Sequence, residues 1–137
     1  TREAGVQDHF SAHVFTLGPE DTTIDAVRLM KDKHLHHIPI VSGDRMLGIV
    51  SERDVLRGTS REEGDHALSA VELQNGHEVE LSKIMSSELQ VLGLQATLAE
   101  AAEKMIVHKV HALPIVEQSR LVGIITATDL LRALVAD

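Results

Sequence analysis

Two stretches of the chain repeat the same order of hydrophobic and polar positions. Residues 22–57 and 97–132 align without a gap at an offset of 75 residues. In the first copy, Ile24, Val27 and Met30 are apolar at the three-residue spacing of one helix face. In both copies an apolar strand, a polar turn, a second apolar strand and another helix follow. The sequence therefore predicts one structural unit that occurs twice.

Capping residues and prolines mark the ends of the predicted elements. Thr22 with Asp25, and Thr97 with Glu100, have the capping-box spacing of a helix N-terminus. A proline follows each helix and disfavours the helical conformation in the residue before it. The order in each copy is β-α-β-β-α, which predicts an α/β protein of two repeats packed as a pseudo-two-fold pair. The predicted strands are Ile38–Val41, Met46–Val50, Leu113–Val116 and Leu121–Ile125, preceded by extended segments at Val14–Leu17 and Leu89–Leu92.

An acidic and polar connection, residues 58–80, joins the two copies. Three glycines interrupt it, and its one weakly helical stretch lies around His66–Leu73. A connection of this length is unusual inside a compact pair and favours a mobile segment or one that covers a surface. We expect the first repeat at residues 6–60, a linker at 61–80 and the second repeat at 81–135.

Composition excludes several classes of protein. Hydrophobic residues make up 43% of the chain and charged residues 25%, which is typical of a globular protein and excludes wholesale disorder. Phe10 and Phe15 are the only aromatic residues, so an aromatic platform for single-stranded nucleic acid is excluded. The formal charge of −8 and the lack of any Lys/Arg run argue against binding of a nucleic-acid backbone.

The sequence also lacks cysteine and long apolar runs. Without cysteine there can be no disulfide, thiol catalysis or thiolate metal site. The apolar runs fall far below the roughly 20 residues that cross a bilayer, and no signal peptide is visible. We therefore expect a cytoplasmic protein with neither nucleic acid nor membrane as a partner of this chain.

The most informative motifs lie where each second strand runs into the closing helix. They read GIVSERD from Gly48 to Asp54 and GIITATD from Gly123 to Asp129. A helix N-terminus has unpaired amides and a partial positive charge that can receive a phosphate. A carboxylate one turn later can accept the hydroxyls of a ribose. The same spacing also fits a capping box that needs no ligand, and both interpretations stay open.

The repeated pattern resembles the CBS domain, and two copies in tandem resemble a Bateman module. LHHIPIV and LGIVSERDVL carry the resemblance in the first copy, and LPIV and LVGIITATDLL carry it in the second. The resemblance covers about Val6–Leu134. The pair is most similar in style to stand-alone acetoin-utilisation-type CBS proteins, without the ACT-like extension of some of them.

The resemblance implies a regulatory module and not an enzyme. Family members bind AMP, ADP, ATP or S-adenosylmethionine in clefts between the two repeats, and they often form disc-shaped dimers. For this chain it implies an adenosyl ligand, a homodimer, a regulated partner and no required cofactor. The implied ribose and phosphate contacts are Ser51, Asp54, Thr126 and Asp129. The implied adenine contacts are Thr16, Leu17, His37, Ile38, Pro39, Ala112, Leu113 and Pro114.

The two copies differ at several of these positions. Arg53, one residue before Asp54, is the best placed cation for a phosphate, whereas its counterpart Thr128 is neutral. We include both positions in the predicted ribose- and phosphate-binding set. The second copy also lacks polar anchors in its first strand, where Thr16, Pro19 and Asp21 correspond to Val91, Leu94 and Ala96. We therefore expect the first copy to be better equipped for a charged ligand.

Two other functions compete with nucleotide binding. A dimerisation or interaction module would have the same fold with empty clefts. The histidines His34, His36, His37, His108 and His111 suggest a metal or pH sensor. Their spacing at helix–strand junctions favours exposed histidines and no metal site. The sequence contains none of the common hydrolase, zinc-protease or P-loop motifs, which predicts no catalytic activity.

Overall fold

The structure, a computed structural model, describes residues 3–60 and 78–136. The chain forms two compact units, of which one is Phe15–Leu89 and the other combines Thr1–Val14 with Gln90–Asp137. Each unit therefore contains the body of one repeat and the leading segment of the other. The expected division into 6–60, 61–80 and 81–135 stays a prediction. The helical stretch expected around His66–Leu73 lies outside the described residues.

The unit of residues 15–89 is built from a helix, a hairpin and a second helix. The hairpin is antiparallel, with a register shift between Ile40 and Val41. A parallel bridge between Leu17 and Ile40 places the extended start of the unit along the outer side of the first strand. The elements are α1 (Thr23–Lys33), β1 (His37–Ser42), β2 (Arg45–Ser51), α2 (Glu52–Ser60) and a 3-10 turn at Leu81–Lys83.

The second unit repeats these features. Its hairpin has the same register shift, between Ile115 and Val116, and Leu92 forms the parallel bridge to Ile115. The duplication read from the sequence is therefore a duplication of structure. The elements are a 3-10 turn at Val6–Asp8, α3 (Leu98–His108), β3 (Ala112–Glu117), β4 (Arg120–Thr126) and α4 (Ala127–Ala136).

The ends of α1 and α3 form as their sequences predict. The Thr22 amide donates to Oδ2 of Asp25 at 2.9 Å, and the helix ends at His34 in the left-handed conformation with φ of 56°. In α3 a capping box forms at Thr97, and Lys109 ends the helix with φ of 55°. A left-handed residue at this position terminates a helix and redirects the chain, here into a strand that begins three residues later.

Each unit has an aliphatic core to which the leading segment of the other repeat contributes. Val6 from the chain start is fully buried in the second unit, and Leu81 is fully buried in the first. The core of the first unit contains Ala26, Met30, Ile38, Ile40, Val50, Val55 and Leu81. That of the second contains Val6, Leu92, Ala96, Leu98, Ala101, Met105, Leu113, Ile115, Ile125 and Ala133.

Gly48 and Gly123 let those leading segments approach the hairpins. A Cβ on Gly48 would lie 2.8 Å from the carbonyl oxygen of Ser86, and one on Gly123 would overlap the ring of Phe10. Next to Gly48, Ile49 exchanges two backbone hydrogen bonds with Ser86, at 3.0 and 2.9 Å. Backbone oxygens make the close approach at both glycines, because the carbonyl oxygens of Ser86 and Ser11 would lie 2.8 and 2.5 Å from the added Cβ atoms.

The predicted α/β class is confirmed, and the differences lie at the ends of the elements. Each of the four strands extends one residue further in both directions than the apolar runs predict, because backbone pairing continues into the flanking residues, all of which are polar except Ala112. Each of the extended segments ahead of α1 and α3 makes a single β-bridge and does not continue into a ladder. Within the described ranges, no helix is long and apolar enough to span a membrane.

Candidate functional site

Ser51 and Asp54 are joined by reciprocal hydrogen bonds at the start of α2. The Ser51 amide donates to Oδ2 of Asp54 at 2.8 Å, and the Asp54 amide donates to Oγ of Ser51 at 3.1 Å. Thr126 and Asp129 form the same pair at the start of α4, at the same two distances. Both motifs are therefore capping boxes.

The capping role leaves hydrogen-bonding capacity at both motifs. A hydroxyl that accepts one hydrogen bond keeps its own hydrogen to donate, and a carboxylate has about four acceptor positions. All four residues are half-buried, so their free positions are within reach of a ligand. Oδ1 of Asp129 lies 3.9 Å from Nη1 of Arg132. Each motif can thus cap its helix and bind a hydroxyl-rich ligand at the same time.

Arg53 and Thr128 occupy the second position of their helices, and both side chains are exposed. The amide ahead of Arg53, that of Glu52, donates to the carbonyl of His36 at 3.1 Å. Among residues 3–60 and 78–136, the amides of Arg53 and Thr128 have no hydrogen-bond acceptor. They lie at the positive ends of α2 and α4, where an anion is stabilised, and only Arg53 adds a full charge.

The segments predicted to contact adenine begin beside these motifs. His37 lies directly across the first hairpin from Ser51, and Ala112 lies across the second from Thr126. Both His37 and Ala112 are half-buried and therefore partly accessible. In each copy the structure thus brings the start of the predicted adenine segment next to the predicted ribose motif.

Four other predicted adenine contacts lie in the cores. They have less than 2% of their surface exposed, so their side chains are not accessible to a ligand. These residues are Ile38, Pro39, Leu113 and Pro114.

Thr16 and Leu17 form an extended edge along β1. The Leu17 amide donates to the carbonyl of Pro39 at 3.2 Å, and the Leu17 carbonyl accepts from the amide of Val41 at 2.9 Å. Because alternate residues of an extended segment turn their polar groups to opposite sides, the amide and carbonyl of Thr16 face away from β1. In the described part of the chain, neither group makes a hydrogen bond.

Lys104 is a residue that the sequence analysis did not identify. Its Nζ donates to the carbonyl of Val91 at 2.7 Å, and the lysine is half-buried. Val91 is the counterpart of Thr16, and Lys104 is the counterpart of Leu29. The first copy therefore has no equivalent contact. The exchange of leucine for lysine between aligned helices was the available signal.

Four of the five clustered histidines are exposed, and His37 is half-buried. His34 ends α1 and is exposed, and exposed His36 contacts the carboxylate of Glu52 through its Nδ1. His108 and His111 are also exposed. In the described ranges, no three His, Cys, Asp or Glu side chains are placed to hold a metal ion. These residues give no geometric support to a metal centre.

An apolar groove of about 700 Å³ lies between α3 and α4. Ile106 is 76% exposed, and Leu131 and Leu134 are 62% and 61% exposed. The first copy has the charged pair Lys31 and Asp32 where the second has Ile106 and Val107. Large exposed apolar patches are often found at interaction surfaces. The lining includes Leu98, Met105, Ile106, Val110, Leu131 and Leu134.

Comparisons with known proteins agree with this duplicated architecture. The chain is 30% identical over 127 residues to the CBS domain-containing protein YhcV of Bacillus subtilis (strain 168). The match covers 93% of this chain and 83% of YhcV. The crystal structure of an AcuB-type acetoin utilization protein from Vibrio cholerae has a TM-score of 0.77 and 33% identity. The match covers 96% of this chain and 90% of the Vibrio cholerae protein.

A third similar protein is CBSX2, whose crystal structure was determined in complex with AMP. It has a TM-score of 0.78 and 21% identity over 97% of both chains, which shows the same fold. The model of the CBS domain family matches this chain twice, at residues 6–60 and 81–136. Because the two matches cover the bodies of both repeats, the chain belongs to the CBS domain family and carries two CBS domains in tandem.

Proposed function

We propose that this CBS pair is a regulatory module that binds an adenosine-containing ligand and signals its presence to a partner. The observation that carries the proposal is the Ser51–Asp54 pair at the start of α2, with Arg53 between them. One helical turn thus combines a hydroxyl, a carboxylate and a guanidinium. The candidate ligands are AMP, ADP, ATP and S-adenosylmethionine, and the AMP complex of CBSX2 supports this class.

The parts of such a ligand match the groups of the first copy. Ribose hydroxyls donate to the free acceptor positions of Asp54, and a phosphate accepts from the amide and guanidinium of Arg53. The open backbone edge at Thr16 lies on the other side of β1 from β2.

Regulation follows if the ligand favours one arrangement of the protein over another. A partner responds when its own binding free energy differs between those arrangements, by the reciprocity of linked equilibria. The proposal includes no catalytic step and no required cofactor. The cytoplasmic location stays a prediction.

A second candidate function is assembly, which the apolar groove between α3 and α4 favours. In a two-fold dimer the same surface of both chains forms the interface. An apolar face can pair with its own copy without complementary charges, and interface cores are depleted in charged residues. We propose a homodimer that uses this face, whether or not a ligand is bound.

Isothermal titration tests the ligand proposal directly. Ligand-free protein should bind AMP, ADP, ATP or S-adenosylmethionine and should not bind GMP. Asp54→Ala should lose this binding while keeping its circular dichroism spectrum. Absence of binding by all four adenosine compounds would overturn the ligand proposal and leave assembly as the function.

A further inference from the structure

We propose that Lys104 closes the base-binding edge of the second CBS domain, so that the pair binds a single adenine ring at the edge of Thr16. The inference rests on the proposed function, because it states which repeat takes the base. It makes Lys104 a specificity-determining residue that acts by occupying an acceptor which the base would otherwise use.

The open edge of the first repeat has the chemistry that an adenine needs. In adenine an amino group that donates stands beside a ring nitrogen that accepts. The amide and carbonyl of one extended residue, here Thr16, present one donor and one acceptor on the same side. Leu29 is partly buried against the same core cluster as Leu17, so it supplies apolar surface and no competing donor.

The second repeat has the same edge with one group already bonded. Leu92 pairs with β3 as Leu17 pairs with β1, because its amide donates to Pro114 at 2.9 Å and its carbonyl accepts from Val116 at 2.8 Å. The polar groups of Val91 therefore face outward. The ammonium of Lys104 donates to the Val91 carbonyl at 2.7 Å and occupies one of its two lone pairs. An adenine amino group at the other lone pair would lie beside the ammonium, where its hydrogens would face a positive charge.

Displacement of Lys104 by an adenine would be unfavourable. The amino group of the base is neutral, whereas the ammonium forms a charge-assisted hydrogen bond, which is the stronger kind. The displaced ammonium would have to leave a half-buried position and find new partners. The second edge therefore stays closed to the base while Lys104 is present.

Equilibrium dialysis of the full chain with radiolabelled AMP measures the number of bound bases. The wild type should bind one AMP per chain, and Lys104→Met should bind two. Methionine keeps the apolar stem but cannot donate, so the fold is retained and only the Val91 carbonyl is released. Lys104→Arg keeps a donor and should bind one. Lys31→Met removes a charge from an exposed position of α1 and should also bind one.

The outcomes separate this inference from the function on which it rests. One AMP bound by both wild type and Lys104→Met would overturn the role of Lys104 and leave the ligand proposal intact. Two AMP molecules bound by the wild type would also overturn the role of Lys104 and leave the ligand proposal intact. No AMP bound by either protein would overturn the inference about Lys104. The ligand proposal would fall with it only if ADP, ATP and S-adenosylmethionine also failed to bind. In the reciprocal Leu29→Lys variant, shown to be folded by circular dichroism, the single wild-type binding event should disappear.

Discussion

The amide of Ser51 donates to Oδ2 of Asp54 at 2.8 Å, and the amide of Asp54 donates back to Oγ of Ser51 at 3.1 Å. This pair stabilises the start of α2 and also presents the groups that a ribose would use. A substitution here therefore has two effects, one on folding and one on binding. The two effects can be measured separately because the second copy has the same cap.

Asp54→Ala should destabilise the protein and abolish its response to AMP. Loss of the cap should lower the free energy of unfolding by about 0.5–2 kcal/mol, since the Ser51 amide loses its acceptor. Loss of the carboxylate also removes the proposed ribose contact. Chemical denaturation with and without AMP measures both quantities on one sample.

Asp129→Ala is the matched control, because Asp129 caps α4 through the same two hydrogen bonds. It should show a similar loss of stability and keep the AMP response of the first copy. If Asp54→Ala and Asp129→Ala retain the same AMP response as the wild type, the assignment of the ribose site to Asp54 is wrong.

Gly48→Ala should destabilise the first unit. The new Cβ would lie 2.7 Å from Sδ of Met85 and 2.8 Å from the carbonyl oxygen of Ser86, and the backbone of Ser86 is held by two hydrogen bonds. Overpacking of this kind lowers the free energy of unfolding by about 1–3 kcal/mol. Thermal denaturation followed by circular dichroism measures the change.

Gly93→Ala serves as the control for that substitution. A Cβ on Gly93 would meet only Oε1 of Glu117, at 3.5 Å, which is an ordinary contact. The thermal midpoint of Gly93→Ala should stay close to that of the wild type. Equal midpoints for the two alanine variants would show that the close approach at Gly48 does not constrain the fold.

Leu131→Glu should dissociate the proposed homodimer without unfolding the chain. Leu131 is 62% exposed, so a charge there costs little in an isolated chain but is unfavourable inside an apolar interface. Leu56→Glu places the same charge at the equivalent position of the first repeat and should leave the dimer intact. Analytical ultracentrifugation measures the mass. A wild-type monomer would contradict the assembly proposal.

Zn²⁺ should leave the stability of the protein unchanged. His34 and His36 are exposed, and no group of three ligating side chains converges within the described residues. Thermal unfolding in EDTA and in added Zn²⁺ should give the same midpoint. A midpoint that rises on addition of Zn²⁺, and does not rise in the His34→Ala, His36→Ala double variant, would establish a histidine-based metal sensor.

The repeat allowed most of the fold to be predicted, because every local signal occurs twice. The capping residues Thr22 and Thr97 and the strand positions of Pro39 and Pro114 constrain the backbone locally, and the structure follows them. The exchange of leading segments between units was not predictable. It depends on which hairpin Ser86 and Ser11 approach, and no local pattern specifies that pairing.

The candidate site was predictable in part. Ser51, Asp54 and their counterparts stand out because a hydroxyl and a carboxylate at this spacing at the start of a helix indicate either a capping box or a ligand site. Lys104 did not stand out, because a lysine inside an amphipathic helix is usually an exposed residue. Its contact with Val91 depends on a loop-to-helix distance that sequence spacing does not give. Ile38 and Leu113 were predicted as adenine contacts and are fully buried. Their burial likewise depends on tertiary packing and not on local sequence.

The most direct test of the central claim is thermal unfolding of nucleotide-free protein with AMP, ADP, ATP, S-adenosylmethionine and GTP. A ligand at about 100 times its dissociation constant adds roughly 2.7 kcal/mol of stability, which raises the midpoint of a chain of this size by several degrees. We expect such a rise with at least one adenosine compound, none with GTP, and none in Asp54→Ala. An unchanged midpoint with all the adenosine compounds would contradict the claim that this CBS pair senses an adenosyl ligand.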